Sequence, residues 1–148
     1  MKFSEMIYTR PEPDVVKSTL AGLTERLRLA RNYQEAREIF LSQQAESRHI
    51  MTAATLASVR HSIDTRDAYY DGEETFWNNF FPELQAVQQE WTKAMLESPF
   101  RREFAQEYGD IMFTNAEMEL KTFSPEIIPQ LQQENELTQA YEKLLASA

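Results

Sequence analysis

Apolar residues recur along most of the chain at the three- and four-residue steps of an α-helix. The first such run predicts a helix that begins near Asp14 and ends near Asn32. Its apolar face is formed by Val16, Leu20, Leu23, Leu27 and Ala30.

A second helix is expected from Tyr33 to about Asp64 or Thr65, because no proline or glycine interrupts this stretch. At about 1.5 Å per residue it would be roughly 45–50 Å long. Its segment 50–59, IMTAATLASV, has small or apolar residues on nearly every side. A helix of that kind is usually buried all round, so we predict that segment 50–59 lies at the centre of a bundle.

A third helix is predicted from about Asp67 to Glu97, and an apolar stripe runs along it. The stripe comprises Trp77, Phe80, Phe81, Leu84, Val87, Trp91 and Met95. Pro82 lies inside the stripe and lacks a backbone donor, so we expect it to kink the helix or divide it in two.

Two later helix starts are marked by a serine followed by a proline. Ser98-Pro99 and Ser124-Pro125 each place serine at the N-cap and proline at the first helical position. The first signal should open a short helix that ends near Gly109, and residues 113–123 should form the next. The second should open a last helix that continues to the end of the chain. The pattern therefore predicts an all-α bundle of about five to six helices, with two long antiparallel helices at its centre.

The composition agrees with this fold and excludes several classes of protein. Three glycines and six prolines in 148 residues are too few for a many-stranded β protein. A hydrophobic content of 42% suffices for one helical domain spanning residues 1–148. The chain has no cysteine, which excludes disulfides, thiol nucleophiles and cysteine-based metal sites. A lack of cysteine is also in keeping with a cytoplasmic protein.

The chain is acidic, with a formal net charge of −9. It should repel phosphate backbones and anionic lipids, so we expect neither nucleic acid nor membrane among its partners. No stretch approaches the roughly 18 consecutive apolar residues of a membrane span.

One short stretch concentrates groups that could do chemistry: residues 58–71, SVRHSIDTRDAYYD. His61 and Asp64 are three residues apart and would face each other on a helix, as a general base and its orienting carboxylate would. The hydroxyl candidates nearby are Thr52, Thr55, Ser58 and Ser62. No glycine elbow or oxyanion loop accompanies them, which favours a polar joint between two helices. In this joint Arg60, His61, Asp64 and Asp67 would satisfy one another and nearby backbone groups.

Metal ligands are scarce in this sequence. The only two histidines, His49 and His61, would lie roughly 18 Å apart along one helix and about 120° apart around it, so they cannot share an ion. Glu46 and His49 form one Glu-x-x-His pair, but a di-iron bundle needs two such pairs, and Ser58 stands where the second glutamate would be. The HExxH motif is absent.

Two further features have structural explanations. Asp71, Glu73 and Glu74 could be read as calcium ligands, but this stretch lacks the alternating oxygen pattern of an EF-hand loop. Acids early in a helix are favoured by the helix dipole, which explains these residues without calcium. The aromatic stripe of the third helix could line a ligand pocket, but its spacing favours core packing. The sequence thus predicts no catalytic, metal-binding or cofactor-binding residue in this chain.

Three long segments carry a family resemblance. They are residues 51–71 (MTAATLASVRHSIDTRDAYYD), 96–104 (LESPFRREF) and 119–148 (ELKTFSPEIIPQLQQENELTQAYEKLLASA). In this order and spacing they resemble the amino-terminal region of oligoendopeptidase F, in the thimet-oligopeptidase family of zinc metallopeptidases. The similarity covers nearly the whole chain, including the opening MKFSEMIYTRP.

The resemblance implies a helical domain of a cytoplasmic enzyme that cuts short peptides inside a deep channel. In that family zinc is held by the two histidines of HExxH and a downstream glutamate, in a carboxy-terminal catalytic domain. None of these ligands matches a position here, so zinc is expected outside this chain, and the chain alone is expected to be inactive. Its expected role is to wall and restrict the channel, with the catalytic domain of the same protein as its partner.

On its own the chain should expose an apolar face that the catalytic domain normally covers, which favours homo-oligomers. Two other functions remain open. One is a free-standing interaction module that binds a partner helix in a groove. The other is a bundle that binds a small ligand among the aromatic residues of the third helix.

Overall fold

Six α-helices and two short 3-10 turns make up the computed structural model, which describes residues 2–147. The helices are α1 (Pro13–Arg28), α2 (Tyr33–Ile63), α3 (Ala68–Glu97), α4 (Arg101–Tyr108), α5 (Ile111–Thr122) and α6 (Ile128–Ser147), and the turns span Phe3–Glu5 and Pro125–Ile127. Within residues 2–147 there is no strand, and no helix is long and apolar enough to cross a membrane. A short connection joins α2 to α3 and the two pack together, so they are antiparallel. The predicted all-α bundle is confirmed.

Side-chain caps explain where the two long helices begin. The Asn32 side chain accepts a hydrogen bond from the backbone N of Glu35 at 2.9 Å and thereby starts α2. Asp67 starts α3 in the same way, accepting from two backbone N atoms of the first turn at 2.9 and 3.2 Å. The prediction that the first helix ends near Asn32 is wrong, because α1 already ends at Arg28 and Asn32 serves the helix that follows.

The first serine–proline signal acts differently from the prediction. Ser98 follows α3, and its hydroxyl accepts a hydrogen bond from the backbone N of Phe100 at 3.2 Å. Pro99 lies in the turn before α4, so the helix begins two residues later than expected, at Arg101. The predicted end near Gly109 is confirmed: this glycine follows α4 with φ 91°, in the region that favours glycine.

The last two helices are close to their predicted positions. Residues 111–122 form α5, against the predicted 113–123. Pro125 follows Ser124 at the first helical position, as expected, but this first turn is a 3-10 turn and α6 begins at Ile128.

The bundle is built around α3, against which α1, α2, α4, α5 and α6 all pack. Five residues of its apolar stripe are buried: Trp77, Phe80, Leu84, Trp91 and Met95. Core packing is therefore the main use of the stripe. Pro82 is buried as well, and α3 continues through it, so the helix is not divided.

Two apolar clusters form along α3. Near its start, Trp77 and Phe80 pack with residues of α1 and α2: Leu20, Ile50, Ala54 and Ala57. Near its end, Trp91 and Met95 pack with Leu23, Leu27, Ala36, Ile39, Phe40, Phe104 and Phe113. Phe104 is fully buried and its ring lies 5.1 Å from that of Tyr33. Burial of these side chains is the main contribution to the stability of the bundle.

The prediction that segment 50–59 is buried on all sides is wrong. Ala54 and Ala57 face α3, whereas Met51 is 52% exposed. The hydroxyls of Thr52 and Thr55 are satisfied within the helix, since each donates to the backbone carbonyl four residues earlier, at 2.8 and 2.7 Å. A face of small hydroxyl residues can therefore point to solvent, and α3 occupies the centre of the bundle instead.

Candidate functional site

The polar joint of residues 58–71 covers the end of α2, the connection and the start of α3. The predicted pair of His61 and Asp64 does not form. Asp64 lies beyond the last residue of α2, and its Oδ1 accepts a hydrogen bond from the backbone N of Arg66 at 3.0 Å. Asp67 caps α3. These side chains therefore do not satisfy one another, but the expected hydrogen bonds to nearby backbone groups form at Asp64 and Asp67.

His61 is 2% exposed and faces α3. Its Nε2 lies 3.3 Å from Asp71 Oδ1, but the two atoms are not oriented for a hydrogen bond, and this nitrogen has no other partner. The same Asp71 oxygen is 2.6 Å from Lys143 Nζ of α6. Lys143 holds the pKa of Asp71 below its usual value, whereas burial raises the pKa of Glu74 nearby. His61 is thus a buried histidine beside the ion pair of Asp71 and Lys143, which links α3 to α6.

The hydroxyl candidates near His61 have no arrangement for nucleophilic catalysis. Ser62 Oγ donates to the backbone carbonyl of Ser58 at 2.9 Å, and Thr52 and Thr55 bond to their own helix as well. A serine nucleophile needs a hydrogen bond to a base, which these hydroxyls lack.

Arg60 connects three parts of the chain. Its Nη1 donates to the Tyr70 hydroxyl at 2.8 Å, and its Nη2 donates to the backbone carbonyl of Met6 at 2.5 Å. Arg60 therefore ties the extended amino-terminal segment to α2 and α3.

Glu73 holds the same segment through an ion pair in which its own carboxylate is buried and Arg10 is partly exposed. The carboxylate is 3% exposed and accepts hydrogen bonds from Arg10, with Nε at 3.1 and 3.0 Å and Nη2 at 2.5 Å, and from the Tyr8 hydroxyl. Trp77 Nε1 donates to that hydroxyl at 3.1 Å. Burial alone would raise the pKa of Glu73, but Arg10 and Tyr8 together lower it. Burial and the neighbouring Glu73 raise the pKa of Tyr8.

The position of Glu73 early in a helix suggests only a favourable interaction with the helix dipole and does not predict this anchor. Its partners lie 63 and 65 residues earlier, in a stretch without periodicity. The signal that was present is a tyrosine and an arginine in an otherwise extended opening, at positions 8 and 10.

No group of three or more potential metal ligands occurs in the part of the chain that the structure describes. Glu46 and His49 are both exposed on α2. Asp71 lies within ion-pair distance of His61, and Glu74 is the other acidic group near it. These side chains do not fit a catalytic zinc site, which takes three protein ligands.

One shallow apolar cavity of about 370 Å³ lies between α1, α2 and α3. Its lining includes Leu20, Ile50, Phe81 and Leu84. It lacks a charged side chain that could orient a ligand, so it offers little for specific recognition.

The most unusual surface belongs to α6. Side-chain amides of this helix donate to α3: Gln132 Nε2 to the carbonyl of Asn79 at 2.8 Å and Asn135 Nδ2 to that of Asn78 at 2.9 Å. The face turned to solvent carries four large apolar residues, Leu137, Tyr141, Leu144 and Leu145. An exposed apolar face is expected from the sequence, but its location on α6 is not.

Comparison with known proteins identifies the family. The family model for the peptidase M3 N-terminal domain matches residues 3–123. No curated protein gives a significant match. A solved structure described as an oligoendopeptidase F from Bacillus anthracis strain Ames matches 100% of the chain with a TM-score of 0.97 at 35% identity. PZ peptidase A, solved with an inhibitor, matches 99% of it with a TM-score of 0.96 at 35% identity.

These solved proteins are much longer than this chain, which covers 27% and 26% of their respective lengths. The resemblance to oligoendopeptidase F that residues 51–71, 96–104 and 119–148 suggested is thus confirmed. Because the family model covers most of the sequence, the chain belongs to the family of peptidase M3 N-terminal domains.

Proposed function

We propose that residues 1–148 form the non-catalytic N-terminal domain of a zinc-dependent oligoendopeptidase. The observation that carries this proposal is the match of the whole chain, at 35% identity, to 27% of an oligoendopeptidase F chain. Zinc and peptide hydrolysis then belong to the remaining polypeptide, in a carboxy-terminal domain with the HExxH motif. We place the enzyme in the cytoplasm, in keeping with a chain without cysteine.

The side chains described above support this division of roles. Within residues 2–147 potential metal ligands do not converge, and the two histidines have unrelated surroundings. The hydroxyls near His61 bond to their own helix. We therefore assign no chemical step to this chain.

The proposed contribution is a rigid wall over the peptide-binding channel. A central α3 contacted by five other helices gives the domain stiffness, and Glu73 and Arg60 fix its amino-terminal segment. Such a wall admits short flexible peptides and keeps folded proteins away from the zinc. Movement of the domain as a unit would open and close the channel.

The test is a fluorogenic-peptide hydrolysis assay with total zinc measured on the same samples. It compares the 148-residue chain, the catalytic polypeptide and their mixture. We expect no zinc and no turnover from the chain alone, and turnover restricted to short peptides in the mixture.

One equivalent of zinc together with turnover by the chain alone would contradict the proposal. His61→Asn is the control for that outcome, because it would abolish any activity that arises in the polar joint. Hydrolysis rates that are identical for short and long peptides, both with and without the chain, would contradict the proposed role as a wall.

A further inference from the structure

The polar and apolar faces of α6 are reversed relative to an ordinary surface helix of a bundle. Gln139, which is 6% exposed, is the single buried residue in this fully described helix, Ile128–Ser147. By contrast, Leu137 and Leu144 are 66% and 67% exposed, and Tyr141 and Leu145 are 61% and 58% exposed. The four positions are separated by helical steps, so they form one outward stripe, which we term the α6 outer face.

Hydrogen bonds and an ion pair attach this half of α6 to the bundle. Gln139 Nε2 donates to Thr75 Oγ1 and to Asp71 Oδ1, both at 3.2 Å, and its Oε1 accepts from Asn78 Nδ2 at 3.2 Å. Lys143 adds its ion pair with Asp71. Such hydrogen bonds replace bonds to water, so they contribute little net stability. Burial of the leucines would contribute much more, but this domain leaves them exposed.

We propose that the catalytic domain of the same polypeptide packs on the α6 outer face. This inference rests on the proposed function and specifies the docking surface. The family model for the N-terminal domain ends at residue 123, before α6. The longer solved relatives nevertheless contain α6, since they match 99–100% of this chain. The helix thus lies outside the part of the chain that the family model matches, but it is present in the longer relatives.

The charge of the chain argues against a second copy as the occupant. The α6 outer face is flanked by the exposed carboxylates Glu134 and Glu142, and the net charge is −9. Two such faces brought together would repel each other.

The test measures binding of the catalytic polypeptide to the 148-residue chain by isothermal titration calorimetry. One variant, Leu137→Gln/Leu144→Gln, changes the α6 outer face. The matched control, Ile7→Gln/Leu29→Gln, changes two apolar residues that are 88% and 76% exposed elsewhere. We expect roughly tenfold weaker binding for the first variant and unchanged binding for the control.

A cysteine label tests the same surface without removing more than one leucine. The chain has no cysteine, so Leu144→Cys gives a single site for an environment-sensitive fluorophore. A blue shift of its emission on addition of the catalytic polypeptide, with no shift for labelled Leu29→Cys, would support the proposal. No shift at position 144 would overturn it.

The outcomes separate the two proposals. If the α6 variant binds like the native chain, the docking surface is wrong and the proposed function stands. If the native chain neither binds the catalytic polypeptide nor changes its turnover of short and long peptides, both are wrong. If light scattering shows a native dimer that Leu137→Gln/Leu144→Gln dissociates, while binding of the catalytic polypeptide is unchanged, the occupant is a second copy and the proposal is overturned.

Discussion

In the bundle of α1–α5, aromatic and aliphatic side chains point inward, whereas α6 turns amides inward and leucines outward. Phe104 is fully buried among rings of α2 and α4, while Leu144 is 67% exposed on α6. Both residues lie in helices with apolar side chains at helical spacing. The spacing therefore predicts the helix in both regions, but it does not say what covers the apolar face.

This difference has a consequence for stability. The bundle gains most of its free energy of folding from buried apolar surface inside the described residues. The end of α6 gains its attachment from hydrogen bonds and one ion pair, which are individually worth less. Substitutions in the two regions should thus differ in the size of their effect on stability and in the part of the chain that they affect.

The largest effect is expected for Phe104→Ala. The ring lies 5.1 Å from Tyr33 and 5.3 Å from Phe40, and its removal leaves a cavity between α2 and α4. The free energy of unfolding should fall by about 3–5 kcal/mol. Urea unfolding followed by circular dichroism measures it. A loss below about 1 kcal/mol would show that the bundle is not organised around this residue.

A smaller effect, with a pH dependence, is expected for Glu73→Gln. The ion pair with Arg10 is lost, and stability at pH 7 should fall by about 2 kcal/mol. Because the folded pKa of Glu73 is lowered, its ionised form stabilises the fold above the ordinary value of 4.5. That contribution disappears as the pH falls through the lower folded pKa.

The difference in stability between native protein and Glu73→Gln should therefore shrink in acid. Unfolding curves at a series of pH values measure this difference. The control is Glu46→Gln, which changes an exposed glutamate of α2 and should leave the curves unchanged. A constant difference at every pH would contradict the role of the ion pair.

A local effect is expected for Gln139→Ala. Its amide bonds to Asp71, Thr75 and Asn78, so their loss should weaken the attachment of α6 by about 1 kcal/mol. Hydrogen exchange should accelerate in α6 and stay unchanged in α3. The exposed Gln133 of the same helix provides the control, as Gln133→Ala. Equal acceleration in both variants would contradict the polar attachment.

The smallest effect is expected for Leu145→Gln, a large change of polarity at a residue that is 58% exposed. The free energy of unfolding of the chain should change by no more than about 0.5 kcal/mol. The matched change Leu27→Gln, at a residue 2% exposed, should be severely destabilising. Thermal unfolding of both variants makes the comparison, and similar losses would mean that the α6 outer face is buried within the chain.

Most of the fold could be predicted from the sequence, because helix periodicity and terminal residues are local signals. Gly109 ends its helix as expected. The prediction that segment 50–59 is buried on all sides is wrong for a related reason. Its small residues fit a buried face and an exposed one equally well, and the side that faces α3 depends on tertiary packing. The presence of a helix can thus be predicted from the local sequence, whereas the side of the helix that is buried cannot.

The contacts of the polar groups could not be predicted in the same way. The spacing of His61 and Asp64 suggested a local pair, but α2 ends at Ile63 and Asp64 leaves the helix. The actual neighbour of His61 is Asp71 on the next helix, set by how α2 and α3 pack. The Glu73 anchor likewise joins residues more than 60 positions apart, which no local rule connects.

The most direct test of this account is hydrogen exchange of the native 148-residue chain, read helix by helix. Amides of α6 from Leu137 onward should exchange much faster than those around Trp77 and Trp91 in α3, because Gln139 is the single buried residue of α6. On addition of the catalytic polypeptide the same α6 amides should become protected. Equally slow exchange in α6 and α3 of the chain alone would contradict the account, since it would mean that α6 needs no further surface to complete it.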